Sequence, residues 1–367
     1  MTSRRGLRLL EEVPVAPRVG ERRGEAPNLF VVRSLVQMGN AIEAAESYGL
    51  RDRENWLLLA FRNDAQMAMH RAILATWPHF SRIVWHRGRQ LPAFIRVFSR
   101  VRRFDWLVIG DWTQLFNLFL NRVASIRHTI VVDDGVASLH RLEQMAAGRL
   151  PPSNRRTLTE RRWLARLQRW VGLCPSYVEN AQLFIQYEVP EALRPRHRLN
   201  DYPHLRSLLA EMPVGDERWF IGNAYRYHAL REPASQLALM ARVDTHRSLK
   251  GVVYVPHPKE ESAVTNELCE TFGMRPWRPV APIEFELLRR DRRPTAVMSF
   301  GSSAVEALAR LCGVPVTIYR IPDALLFEAA TRRTTPMYER YAELDYEIVS
   351  LDAPSPSAGR EAHVTQA

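Results

Sequence analysis

The chain has 367 residues, 46% of them apolar and 25% charged, with a formal net charge of +11 from 51 basic and 40 acidic side chains. That length exceeds what one hydrophobic core usually serves, so about two domains are expected, and the apolar share excludes a disordered or low-complexity chain. The basic excess is mostly arginine, whose planar fork suits phosphate and carboxylate, so an acidic ligand or surface is expected.

Residues 1–27 are rich in Arg, Glu and Pro, lack the apolar stretch of a signal peptide, and are expected to be disordered. No later stretch approaches the roughly 18 apolar residues of a membrane span, which gives a cytoplasmic expectation. Short apolar strands then alternate with amphipathic segments: Leu29 to Val32, Trp56 to Leu59, Ile83 to Trp85, Trp106 to Ile109 and Thr129 to Val132. This rhythm predicts a parallel, doubly wound sheet. Helical periodicity takes over from about Arg155 to Leu209, with no strand expected there. A proline and glycine break at Met212-Pro213-Val214-Gly215 marks the domain boundary. A second strand series follows at Trp219 to Ile221, Gly251 to Val255, Ala296 to Met298 and Val314 to Ile318. The fold class is therefore α/β, with a first domain over 28–212 containing a helical middle, a second over 213–350, and a disordered tail over 351–367. Cys174, Cys269 and Cys312 have no spacing for zinc or a disulfide framework, and read as small buried hydrophobes in a reducing compartment.

Three short motifs follow predicted strands, where an open α/β sheet gathers its ligand groups. At Ile130-Val131-Val132-Asp133-Asp134-Gly135 a strand delivers two carboxylates, and alternation sends only one towards a ligand. Such a carboxylate suits a general base, while a turn-ordering N-cap is the structural alternative. The D-x-D spacing of a divalent-ion site is absent, so no metal is expected. At Tyr254-Val255-Pro256-His257-Pro258-Lys259, two prolines fix an imidazole that can donate to a phosphate oxygen, and Lys259 opens a predicted helix. The alternative is a turn with a surface histidine. At Ser299-Phe300-Gly301-Ser302-Ser303-Ala304-Val305-Glu306, a helix start with two hydroxyls makes an anion cradle. Glu306 closing a capping box on Ser303 is its structural counterpart. No Gly-Lys-Ser/Thr follows, so a Walker loop is excluded.

In their order and identity these motifs resemble the bacterial sialyltransferases and polysialyltransferases of the GT-B type, which share Asp/Glu-Asp/Glu-Gly, His-Pro and Ser-Ser/Thr signatures. The resemblance covers residues 133 to 303. It implies two Rossmann-like domains facing a central cleft, and an inverting, metal-independent transfer from a CMP-activated nonulosonic acid such as CMP-sialic acid. It further implies a cell-surface glycan acceptor, in a capsule or lipooligosaccharide. Asp133 or Asp134 would be the base, with Asp133 favoured. His257 would assist departure of CMP, and Gly301, Ser302 and Ser303 would hold its phosphate beside Pro258 and Lys259. Glu284, in Pro282-Ile283-Glu284, would grip the ribose hydroxyls, against the alternative of an exposed helix-capping glutamate. No cofactor is implied beyond the donor itself. A donor such as CMP-Kdo is the nearer alternative.

Arg161, Arg162, Arg166 and Arg169 line a predicted helix opposite Trp163, Leu164, Leu167, Trp170 and Val171. A core or dimer helix with a solvated basic face is the preferred reading, and peripheral contact with an anionic membrane the other. Arg96, Arg100, Arg102 and Arg103 read as a charged surface. Gly110-Asp111-Trp112 and Asn223-Ala224-Tyr225 are expected as loops at strand ends. A basic nucleic-acid-binding protein is the non-enzymatic alternative, but no zinc finger, RRM signature or helix-turn-helix pattern supports it, so no nucleic-acid partner is expected.

Overall fold

The computed structural model describes residues 12–14, 26–87, 101–110, 117, 120, 124–133, 142, 145–148 and 180–351. Asp134, Gly135, Arg96, Arg100, Asp111, Trp112, Cys174, the Arg161 to Arg169 helix, most of the expected disordered lead and nearly all of the tail lie outside the described residues. The chain divides into two compact units, Met1–Ser207 and Leu208–Ala367. The break at Met212 to Gly215 belongs to the second unit, because Arg293 ties it there: Gly215 N–H donates to Arg293 O at 2.7 Å, and Arg293 N–H to Pro213 O at 2.9 Å.

The first unit carries β1 (Glu12–Pro14), β2 (Asn28–Val32), α1 (Leu35–Ser47), β3 (Asn55–Phe61), α2 (Asp64–Thr76), β4 (Arg82–Arg87), β5 (Arg103–Ile109), β6 (Ser125–Val132), β7 (Gln182–Ile185), β8 (His197–Leu199) and most of α3 (Pro203–Leu209). Its eight strands run in the order β1-β4-β3-β2-β5-β6-β7-β8. All neighbours are parallel except β1, which pairs antiparallel with β4. β2 is buried along its whole length, as a parallel strand covered on both faces must be, which is why its sequence is a continuous apolar run.

Three differences from the sequence expectation have physical causes. Glu12–Pro14, inside the expected disordered lead, forms a strand, since the outer edge of β4 offers unpaired backbone groups for it to bond. β7 and β8 lie inside the segment expected to be helical. Leu183, Phe184 and Ile185 are almost fully buried, and Pro190 and Pro195 interrupt any helix between the two strands, so a short buried strand wins over the 3.6-residue pattern. Lys259 sits in a turn, and the helix after it begins only at Ser262.

The second unit contains β9 (Arg218–Ile221), α4 (Tyr225–His228), α5 (Ser235–His246), β10 (Val253–Val255), α6 (Ser262–Phe272), β11 (Arg275–Pro276), α7 (Ile283–Glu286), β12 (Ala296–Ser299), α8 (Ser303–Cys312), β13 (Val316–Arg320), α9 (Glu328–Glu343) and β14 (Glu347–Ser350). Its sheet is parallel throughout, ordered β11-β10-β9-β12-β13-β14. Phe220, on central β9, pairs in register with Tyr254 and Met298, and its ring packs edge-on against Phe300 at 5.3 Å. Each unit is thus Rossmann-like and α/β, as expected. In each, the order reverses beside the first parallel strand, at β2/β5 and at β9/β12. Ligands of such sheets bind at this reversal, beyond the carboxyl ends of the strands.

Candidate functional site

In the second unit, β10, β9 and β12 are consecutive neighbours, and their carboxyl ends lead into Pro256-His257, Gly222-Asn223 and Phe300-Gly301-Ser302. The His-Pro and Ser-Ser motifs therefore flank the end of β9 at the chain reversal, separated by about two strand spacings, or about 10 Å.

His257 is held at two points. Its backbone N–H donates to Glu260 Oε2 at 3.0 Å, and its ring Nδ1 accepts from Lys259 N–H at 3.1 Å. An imidazole whose Nδ1 accepts an amide N–H carries its proton on Nε2 when neutral, so the ring presents Nε2 as a donor. His257 is half-buried, while Pro258 and Lys259 are exposed.

Behind it, Glu260 is 3% exposed. Its Oε1 accepts from Tyr254 Oη at 2.6 Å and from Gln236 Nε2 at 3.3 Å, and its own N–H donates back to His257 O at 2.8 Å. Burial raises the Glu260 pKa, opposed by hydrogen bonds from Tyr254, His257 and Gln236 and by the Arg278 charge. Tyr254 is pushed well above the usual phenol range, first by burial and then by the Glu260 charge, so it remains a neutral donor. Gly222 approaches this carboxylate closely: a Cβ there would stand 2.9 Å from both Glu260 Oε2 and Tyr254 Oη.

On the other side of β9, the fully buried Ser299 hydroxyl donates to Ile221 O at 2.8 Å and accepts from Gly301 N–H at 3.0 Å, tying the ends of β9 and β12 together. Gly301 has φ 130°, and a Cβ on it would collide with Met337 Cε. Ser302 is the N-cap of α8, its Oγ accepting from Ala304 N–H at 3.4 Å. Ser302 and Ser303 stay partly accessible at the positive end of a ten-residue helix. The expected capping box on Ser303 does not form. Glu306 is 2% exposed and its carboxylate instead takes a two-pronged bond from Arg340, Nε to Oε1 at 3.0 Å and Nη2 to Oε2 at 2.9 Å. α9 braces the turn at two further points: Tyr338 Oη donates to Phe300 O and Tyr341 Oη to Ser302 O, each at 3.1 Å. Burial pushes the Tyr338 phenol up to about 12, which keeps it a donor.

Glu284 lies on the short α7, which packs against α8, and burial raises its pKa while its own backbone N–H lowers it. It is partly buried rather than exposed, and it makes no capping bond to this helix; the neighbouring Glu286 accepts from Ala281 N–H through Oε1 at 3.1 Å, just before the helix begins.

In the first unit, Asp133 directly follows β6 and is 1% exposed, with its carbonyl accepting from Asn40 Nδ2 at 3.0 Å. Asn40 in turn accepts from Asn200 Nδ2 at 3.0 Å, so α1 links the ends of β6 and β8. One turn further along α1, Glu43 is fully buried and accepts from His204 N–H at 2.7 Å and Leu205 N–H at 3.0 Å at the start of α3. Burial raises its pKa to about 8, against those two bonds and with the charges of Glu46 and Asp201.

The structure thus brings His257, Gly301, Ser302 and Ser303 to one edge of one sheet, and puts Asp133 at the carboxyl edge of the other. Sequence reasoning missed Glu260, Gly222 and the α9 side chains. Only Glu260 had a local signal, lying three residues after His257. Among the described residues, no group of three or more His, Cys, Asp or Glu side chains is arranged to hold a metal ion, and no helix is long and apolar enough to cross a membrane.

No family model matches the chain, and no curated protein matches it. Solved structures similar to it include the UDP-GlcNAc 2-epimerase of Methanocaldococcus jannaschii in complex with UDP-GlcNAc and UDP, at 13% identity and TM-score 0.43, over 88% of this chain and 89% of that one. The UDP-GlcNAc 2-epimerase of Neisseria meningitidis bound to UDP-GlcNAc is similar at 11% identity and TM-score 0.46, over 87% and 91%. The E. coli heptosyltransferase WaaC with ADP-2-deoxy-2-fluoro heptose is similar at 11% identity and TM-score 0.42, over 85% and 99%.

Proposed function

We propose that this protein is an inverting, metal-independent glycosyltransferase of the GT-B type that moves sialic acid or a related nonulosonic acid from its CMP-linked form to a hydroxyl of a cell-surface glycan. The observation that carries the reading is the placement of His257 and the Ser302-Ser303 helix start on either side of β9 at the reversal of the second sheet. Those are a hydrogen-bond donor and a helix start flanking one strand end, the groups a departing nucleotide monophosphate needs.

In this mechanism the carboxylate of Asp133 or Asp134 takes the proton of the acceptor hydroxyl, and the resulting oxygen attacks the anomeric carbon of the donor. The bond from that carbon to the phosphate oxygen breaks with its electron pair, and CMP leaves. His257 Nε2–H donates to the phosphate as charge builds, and Ser302, Ser303 and the first N–H groups of α8 hold the other oxygens. Glu284 is assigned to the ribose hydroxyls.

The test is nucleotide release from CMP-sialic acid, CMP-Kdo, CMP-legionaminic acid and UDP-GlcNAc, each supplied with glycan acceptors and excess chelator. CMP release from the first or a related nonulosonic donor is expected, with a loss of about 100-fold or more in His257→Ala and Asp133→Ala. Near-normal turnover in both folded variants overturns the mechanism, and turnover of UDP-GlcNAc alone overturns the donor class.

A further inference from the structure

We propose that Glu260 is a positioning residue that fixes the tautomer of His257, acting through the backbone rather than on a substrate. The carboxylate and the histidine are joined reciprocally: Glu260 Oε2 accepts His257 N–H at 3.0 Å, and Glu260 N–H donates to His257 O at 2.8 Å. Those two bonds close the Pro256 to Glu260 turn. Its closure aims Lys259 N–H at His257 Nδ1, 3.1 Å away. That amide excludes a proton from Nδ1 and puts it on Nε2.

The carboxylate itself is anchored from separate elements. Tyr254 of β10 and Gln236 of α5 both donate to Oε1, at 2.6 and 3.3 Å, leaving Oε2 for the His257 amide. Gly222 at the end of β9 makes the space this carboxylate occupies, since a Cβ there would stand 2.9 Å from Oε2. Arg278, after β11, adds a positive charge nearby. A buried carboxylate with three donors is an uncommon way merely to close a turn, since an unionised acceptor avoids most of the desolvation. Its fixed direction is the property that an imidazole with one required tautomer uses.

The experiment reads the tautomer directly, by 15N–1H correlation spectra of protein labelled with 15N-histidine. The chain has eleven histidines, and His257 is identified by its loss in His257→Asn. In the unaltered protein, above the titration of the ring, Nδ1 is expected at the unprotonated position and Nε2 at the protonated one. In Glu260→Ala the two shifts should move together as both tautomers populate. In Glu260→Gln they should return, because one amide oxygen can stay on the His257 N–H while the amide group donates to the Tyr254 hydroxyl. Should Glu260→Ala fail to fold, Glu260→Asp, one methylene too short to reach that N–H, carries the same expectation.

The kinetic arm rests on the proposed transfer: Glu260→Ala, or Glu260→Asp in its place, should lower kcat for CMP release about tenfold or more with donor KM within threefold, and Glu260→Gln should recover most of it. An unchanged, pure Nε2–H tautomer in the folded Ala or Asp variant overturns the proposal, as does a Gln variant that behaves like Ala. If the unaltered protein releases no CMP, the transfer reading fails while the spectra still decide the role of Glu260.

Discussion

At the scale of single residues, much of the candidate site depends on what is missing from one position. Gly222 has no Cβ, and any added one would lie 2.9 Å from Glu260 Oε2 and Tyr254 Oη and 3.0 Å from Val255 O. The carbonyl cannot yield without loosening the β9–β10 ladder, and both side chains are pinned by each other. Gly222→Ala is therefore expected to cost about 1–3 kcal/mol in chemical unfolding, and to lower CMP release further than that loss explains. An unfolding midpoint equal to that of the unaltered protein would show that the crevice has slack. The motif residues were legible in the sequence, because prolines, a glycine and paired hydroxyls mark a strand end by local chemistry alone. Gly222 was not, and Glu260 was marked only by its spacing of three from His257. Their importance lies in close approaches between β9, β10 and α5, which no local pattern encodes.

At the scale of elements, α9 is the brace of the Ser302 turn. Arg340 makes both prongs of its bond to the almost fully buried Glu306, which also has a longer ion pair to Arg310, at 3.8 Å. Removing Arg340 takes away both short bonds of that carboxylate and leaves the longer pair to Arg310, and the loss of one partner of a buried pair is worth about 3–5 kcal/mol. Arg340→Ala should lower stability by that order in urea titration. Glu306→Gln combined with Arg340→Ala should recover part of it, since a neutral amide is cheaper to leave buried. Equal stability of the single and double variants would mean that water reaches Glu306. The same scale shows why the sequence located nine strands yet missed others. β2, β9 and β12 announce themselves as apolar runs between turn residues. β7 and β8 are short and follow a long helical pattern, β11 has two residues, and the pairing that makes each of them a strand is supplied by its neighbour in the sheet. Two helix starts, by contrast, share one local scheme, an arginine, a capping residue after it and a glutamine four residues on. Arg33-Ser34-Leu35-Val36-Gln37 and Arg62-Asn63-Asp64-Ala65-Gln66 each cap their helix with the second residue, while the glutamine returns to the amide of the arginine, at 3.0 and 2.8 Å.

At the scale of the molecule, buried titratable groups of the first unit tie its stability to pH in two windows. Burial lowers His70 and His86 from 6.5 to about 4, with the Arg33 charge adding to the effect on His86, and burial also lowers His204. The unfolded chain then binds more protons between about 4 and 6.5, so these groups make stability rise with pH across that window. Glu43 acts with the opposite sign. Its folded pKa of about 8 exceeds the ordinary carboxylate value of 4.5, so the folded state holds the extra proton, and stability falls as pH rises between those values. Above pH 6.5 the histidines no longer contribute, and from there to about 8 Glu43 should give a loss of about 1.4 kcal/mol per pH unit. Urea unfolding of the full chain at half-unit steps checks this, and Glu43→Gln should flatten the slope. A slope unchanged by that substitution would place the Glu43 proton elsewhere.

The order of strands in the second sheet also bears on how the protein is made. β9 is the first strand of that unit to leave the ribosome, yet it ends in the middle of the sheet, and Ser299 bonds to Ile221 across 78 positions of sequence. While translation proceeds, one flank of β9 can be covered by β10, but the other stays bare until β12 emerges. During that interval the growing polypeptide displays a naked apolar edge of the kind that recruits other chains, so successful biogenesis rests on keeping the nascent product solitary until the fourth strand of this sheet is within reach.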